Sequence, residues 1–208
     1  MIRRFFEKRA RMPLEQFFTS KLGPTVGAVV LFFLEVAQVM IISAAIILPI
    51  RYFLVQPFYV KGASMEPSYY DHEYLIIDEL SYRLRDPMRG EVVVFRYPLD
   101  PSQFFIKRIV GLPGETVEIN NGHVTIYNEE HPNGEILEEE YLHPNLTAGK
   151  KMVTLGTDEY YVLGDNRDES MDSRKFGPIT QDEVIGRVWI RGLPISRIEV
   201  MDIPVYKF

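Results

Sequence analysis

Two hydrophobic rhythms divide the chain. From position 25 to position 50 nearly every residue is apolar, and only Glu35, Gln38 and Ser43 interrupt the run. At ~1.5 Å per residue the run predicts a helix of about 39 Å, enough to cross a ~30 Å hydrocarbon core with tilt. It exceeds the roughly 7–15 apolar residues of a removable signal, so residues 25–55 are expected to be a retained transmembrane anchor. Past Gln56-Pro57 the apolar residues come in short runs instead. Positions 58–60, 74–77, 92–95, 104–110, 116–119, 123–127, 160–163 and 184–190 read as strands. Turn chemistry separates them, at Asp86-Pro87, Tyr97-Pro98, Leu112-Pro113-Gly114 and Gly164-Asp165-Asn166. Asn121-Gly122 between two runs signals a hairpin. No long amphipathic helix pattern and no internal repeat is present. The expected fold is mostly β: a coiled antiparallel β-sheet or barrel-like domain over residues 56–208, behind one N-terminal transmembrane helix. Residues 120–158 read as a hairpin and an insertion. Glu129, Glu130, Glu135, Glu138, Glu139 and Glu140 crowd there and predict a solvated face. The last stretch, 200–208, is too short to span a bilayer.

Charge sharpens this division. The net charge is −6, but residues 1–55 carry seven basic side chains against three acidic ones, a balance of +4. The remainder therefore carries −10, which argues against nucleic acid as a partner. Basic residues ahead of the anchor predict the N-terminal segment, 1–24, inside the cell and the β domain outside. Residues 1–22 fit either an interfacial amphipathic helix or a disordered tail. Glu35 has two placements. It can sit at the inner interface with the apolar span shifted to 36–54, or it can join Gln38 in a contact with another membrane helix. The chain has no cysteine, which excludes disulfides, thiolate metal sites and a cysteine nucleophile.

Candidate chemistry lies in two segments. Ser64 follows Gly62-Ala63, small residues that let a peptide backbone approach. Lys107 sits among Phe104, Phe105, Ile106, Ile109 and Val110. A strand built from such a run is buried, and burial disfavours an ammonium. A neutral lysine amine can act as general base for a serine, a variant of the Ser-His-Asp arrangement. Alternation puts Phe105, Lys107 and Ile109 on one face. Asp165, Asn166 and Arg167 suit a turn. Asp172 and Arg174 suit a structural ion pair. Asp165, Arg167, Glu169 and Asp172 lack the spacing of a calcium loop, so no metal is expected.

Four segments, in this order, carry a resemblance. They are Ser64-Met65-Glu66-Pro67, Gly90-Glu91-Val92-Val93-Val94-Phe95, Lys107-Arg108-Ile109-Val110-Gly111-Leu112-Pro113-Gly114-Glu115, and Gly164-Asp165-Asn166-Arg167-Asp168-Glu169-Ser170-Met171-Asp172-Ser173-Arg174. Together the chain resembles bacterial type I signal peptidase (leader peptidase), the Ser-Lys dyad family. Ser68 stands where that family usually has Thr, Glu91 where Asp is usual, and Gly62 where some members have Ser. The resemblance implies a membrane-bound serine endopeptidase of the EC 3.4.21 class, with Ser64 as nucleophile and Lys107 as general base. It implies Ser170 as the hydroxyl that orients the lysine, supported by Asp172 and Arg174. No cofactor is implied. The implied partners are signal peptides of exported preproteins and the lipid bilayer, with the export machinery as a further candidate. The implied location is the bacterial cytoplasmic (inner) membrane, crossed once. With Gly62 in place, an oxyanion hole would rest on backbone N–H groups, starting with that of Ser64. Phe58, Val60, Met65, Phe105 and Ile106 flank the dyad and are the candidate substrate pockets. An extended peptide could join the sheet there and place alternate side chains in them. Two other readings compete: an anchored β module that binds peptides without cutting them, and a self-processing Ser-Lys protease.

Overall fold

The structure is a computed structural model and describes residues 23–53, 55–142, 146–203 and 206. The expectation for residues 1–22 lies outside the described residues. The chain forms two compact units that divide between Arg51 and Tyr52.

The described part of the first unit lies almost wholly within helix α1, Pro24–Phe53. Pro24 suits a first helical position, where its missing N–H costs nothing. The stretch Pro24–Leu48, of mean hydropathy 2.4, is long and apolar enough to cross a membrane by length and composition. Its apolar side chains stand outward, Phe33 at 64% and Ile41 at 68% exposure. A soluble core helix would hide them. The helix runs unbroken through Glu35.

The second unit is built from two antiparallel sheets. In chain order the larger contains β1 (Val55–Tyr59), β2 (Tyr74–Asp78), β3 (Val92–Tyr97), β4 (Asp100–Gly111), β9 (Glu159–Leu163), β10 (Ile179–Thr180), β11 (Val184–Leu193) and β12 (Glu199–Val200). Its spatial order is β1-β2-β11-β3-β4-β9-β10, with β12 beside β11. The smaller sheet runs β7 (Glu135–Ile136), β6 (His123–Tyr127), β5 (Thr116–Asn120), β8 (Lys151–Thr154). The coiled antiparallel sheet is present, but β1 and β10 do not pair, so neither sheet closes into a barrel.

Alternation along β3 explains the packing. Val92 and Val94 join one buried cluster with Val60, Met65, Tyr69, Leu75 and Ile77. Val93 and Phe95 join another with Ile109, Tyr160, Val162 and Ile179. Both faces of β3 are covered, which is why it reads as an unbroken Val-Val-Val-Phe run. A third cluster, with Val117, Ile119, Val124, Ile126, Leu137 and Leu155, joins the smaller sheet to Val110 of β4 and Tyr161 and Leu163 of β9.

All eight expected strands form, with ends shifted by a few residues. Asn121 (φ 50°) and Gly122 (φ 86°) both adopt left-handed backbone, the geometry of a two-residue type I′ hairpin. Strands β7, β8, β10 and β12 are two to four residues long, too short for an alternating signal. The 120–158 region also contributes to the core, because β7 and β8 flank the β5–β6 hairpin and Leu137 and Leu155 are buried in it.

Candidate active site

Ser64 lies in a tight turn just past β1. The Glu66 N–H donates to Ala63 O and the Tyr69 N–H to Met65 O, winding the segment into one helical turn. Met65 is 1% exposed and packs with Val60, Tyr69, Leu75 and Ile77. It pins the turn to the core. That corrects its expected place in a substrate pocket, since Met65 does not line the cavity described below.

Lys107 lies in β4, opposite Val93 of β3. Its Nζ stands 2.8 Å from Ser64 Oγ, and it donates to Ile106 O at 2.6 Å. The residue is 3% exposed, and the Phe105 ring lies 5.5 Å from the amine. Burial drives the Lys107 pKa down to about 8, while the Asp172 and Asp165 carboxylates pull it up by less. Phe105 and Ile109 belong to one apolar cluster, so the expected shared face with Lys107 is present.

The segment 164–174 closes over this pair. The Asn166 N–H donates to Ser64 O at 3.1 Å. Asp172 accepts from Gly164 N at 3.1 Å and from Arg174 Nε and Nη2, each at 2.8 Å. It also caps the short helix α2 (Ser173–Phe176) by accepting from Arg174 N. Burial pushes the Asp172 carboxyl up, but the Arg174 guanidinium and the Gly164 amide hold it below the usual carboxylate range.

A cavity of about 630 Å³ opens beside Ser64 and Lys107. Phe58, Val60, Phe105 and Ile106 line it, and Leu75, Val94, Phe104 and Met171 add to its apolar wall. Phe58 and Phe104 meet edge to face at 5.7 Å.

The family model described as "Signal peptidase, peptidase S26" matches residues 33–192. The chain belongs to this family. A probable signal peptidase I-2 of Synechocystis sp. is 37% identical over 174 residues, covering 81% of this chain and 77% of that protein. A signal peptidase I of Leptolyngbya laminosa is 36% identical, covering 76% of this chain and 78% of its own length. Signal peptidase I P of Bacillus subtilis subsp. natto is 35% identical, covering 79% of this chain and 91% of its own.

Within this signal peptidase fold, Ser170 stands differently from expectation. It is 1% exposed and packs onto Gly164, where an added Cβ would lie 2.2 Å from Ser170 Oγ and 2.5 Å from Ser64 O. Its hydroxyl lies near enough to Asp172 to help keep that carboxylate ionised, yet it forms no hydrogen bond of good geometry. Lys107 Nζ bonds to Ser64 and Ile106 instead.

Sequence reasoning missed two buried ion pairs around Ser64 and Lys107. Arg108 grips Asp165 bidentately, at 2.9 Å and 2.6 Å, donates to Gly90 O, and lies 4.0 Å beneath the Tyr141 ring. Asp165 is thus a counterion as well as a turn residue. Arg167, 2% exposed, is paired with Glu139 and also bonds Thr147 Oγ1. Glu139 therefore departs from the solvated acidic face expected for its run. The available signal was Arg108 itself: a second cation in a buried run needs a carboxylate.

Proposed function

We propose that this protein is a membrane-bound serine endopeptidase that removes signal peptides from exported preproteins, with Ser64 as nucleophile and Lys107 as general base. The observation that carries this reading is Lys107 Nζ, buried and 2.8 Å from Ser64 Oγ, with its pKa near 8. In the neutral amine, the nitrogen lone pair can accept the Ser64 proton as Oγ attacks the scissile carbonyl. The ammonium then returns that proton to the leaving amine of the mature protein. A water, deprotonated by the same amine, attacks the acyl carbon, and the ammonium returns that proton to the departing Ser64 Oγ.

Substrate docking follows from the sheet edge. Among the described strands, β1 pairs with β2 alone. Val60 bonds toward that side, through its N–H to Glu73 O and its C=O from His72 N. Backbone groups alternate along a strand, so those of Tyr59 and Lys61 face the free edge. A peptide added there would run along the cavity, and small residues at alternate positions match the A-x-A pattern of signal-peptide cleavage sites. Ser170 packs beside the dyad, and the Asp172–Arg174 pair holds its segment. Helix α1 serves as a single-pass anchor in the bacterial cytoplasmic membrane, with the basic N-terminus inside and the β domain outside.

The test is incubation of the detergent-solubilised chain with a preprotein bearing an A-x-A site. Cutting after the second small residue is expected. An intact preprotein that stays bound would replace this reading with a peptide-binding module. The rate should rise with pH through about 8 and level off above it, because only the neutral amine is a base. A rate that is flat from pH 6 to 10 would remove Lys107 from the chemistry. Gly164→Ala should cost about 10²-fold in kcat/KM, since the added methyl overlaps Ser170 Oγ and Ser64 O and displaces the nucleophile segment. Steady-state kinetics beside a melting curve check it.

A further inference from the structure

Besides its core and backbone contacts, the nucleophile turn is held by one exposed carboxylate. Past Val60, the β1–β2 ladder runs out of backbone partners before it reaches Ser64. Asp71 supplies the next rung. Its Oδ1 accepts from the Gly62 N–H at 2.9 Å and from the His72 N–H at 3.1 Å. Its Oδ2 lies 3.3 Å from His72 Nε2, and His72 Nδ1 meets the Tyr59 hydroxyl. A neutral imidazole that donates from Nε2 and accepts at Nδ1 satisfies both contacts at once.

The two residues that meet at this carboxylate have unusual backbone. Gly62 has φ +90° and His72 has φ +68°. The space where a Gly62 Cβ would sit is open, so glycine is needed there for its conformation and not for room. A left-handed position at Gly62 would be free to re-orient without an acceptor for its N–H.

The Lys61–Gly62 peptide is planar, and its C=O points opposite to its N–H. With the Gly62 N–H held by Asp71, the Lys61 C=O faces the free edge of β1. Tyr59, Lys61 and Gly62 all line the cavity. The same contact makes the Gly62 N–H unavailable to an oxyanion.

We infer that Asp71 is a positioning residue for peptide docking: it fixes the Lys61–Gly62 peptide so that the Lys61 carbonyl, three residues before Ser64, can accept a substrate N–H. This rests on the edge-docking part of the proposed function. Asp71 touches neither substrate nor the reacting atoms. It acts through Gly62. His72 and Tyr59 steady the carboxylate from its other oxygen.

The experiment measures binding apart from cleavage. A fluorescently labelled peptide spanning an A-x-A site is titrated against the full chain carrying Ser64→Ala, with anisotropy as the readout. Adding Asp71→Ala should raise Kd about tenfold, the loss of one charge-assisted bond to the docking peptide's partner. Adding Asp71→Asn should restore most of the affinity, because Asn Oδ1 still accepts both N–H groups. Adding His72→Ala should weaken binding two- to threefold, since the backbone bonds to Oδ1 remain. In the Ser64 parent, Asp71→Ala should raise KM and leave kcat within about twofold. An unchanged Kd in the Asp71→Ala protein, or a loss that Asn does not repair, would overturn the assignment. So would a fall in kcat with KM unchanged. Failure of the parent to cleave would count against the proposed peptidase alone, because the Kd comparison still stands.

Discussion

Ser64→Ala and Lys107→Met are each expected to lower signal-peptide cleavage by at least about 10³-fold, with the double variant no worse than either single one. The two side chains lie 2.8 Å apart, and in the proposed mechanism each needs the other. Their effects on stability should differ. Ser64→Ala removes a hydroxyl at the rim of a cavity and should melt close to the parent. Lys107→Met removes an amine that is 3% exposed and has a pKa pushed from 10.5 down to about 8. The folded protein therefore binds fewer protons than the unfolded chain between those values. The penalty is fully present below pH 8 and fades as pH rises toward 10.5. At pH 7 Lys107→Met should be more stable than the parent by roughly 2–4 kcal/mol, from ~1.4 kcal/mol per pKa unit. The gap should close by pH 10.5. Thermal melts of the dead variant across pH 7–10.5 check the sign, and a methionine variant that melts lower at pH 7 would contradict the buried-amine account.

Asp165→Ala should destabilise the domain by about 3–5 kcal/mol, because it leaves the Arg108 guanidinium buried without its carboxylate. Arg108 and Asp165 are 5% and 1% exposed, and the pair is bidentate. Activity should fall as well, since Arg108 follows Lys107 directly and Asp165 begins the turn whose Asn166 holds the Ser64 carbonyl. Adding Arg108→Met to Asp165→Ala should recover a large part of the stability, because a matched apolar replacement leaves no buried charge. Urea unfolding of the two single variants and the double variant gives the coupling energy. Strictly additive losses would show that the two charges do not depend on each other.

The strands were legible because most are four or more residues long and bounded by Gly, Pro or Asn. Lys107 stood out for its apolar neighbours, but it was the family segment around it that marked it as a base. Ser64 was not legible from its own neighbours, and only its likeness to a family segment raised it above a loop hydroxyl. Ser170 came from that likeness alone, whereas Asp172 and Arg174 also read as a charge pair from their own residue types. Met65 was misjudged, since an apolar residue beside a nucleophile reads the same whether it faces a cavity or the core. The ion pairs were hidden by separation. Arg108 and Asp165 are 57 residues apart, and Arg167 and Glu139 are 28 apart. Nothing periodic links such positions. Closure of the sheet was equally hidden, because it depends on which edges meet and not on how any strand is patterned.

The Glu139–Arg167 pair changes what the acidic insertion can be in engineering terms. A surface insertion can be trimmed or exchanged as a module. This one carries a carboxylate, Glu139, whose counterion Arg167 lies in the segment that packs beside Ser64. Excising 128–158 would leave that guanidinium stranded, and grafting the insertion elsewhere would carry a carboxylate without its guanidinium. Chimeras between such domains should therefore be cut so that Glu139 and Arg167 travel together.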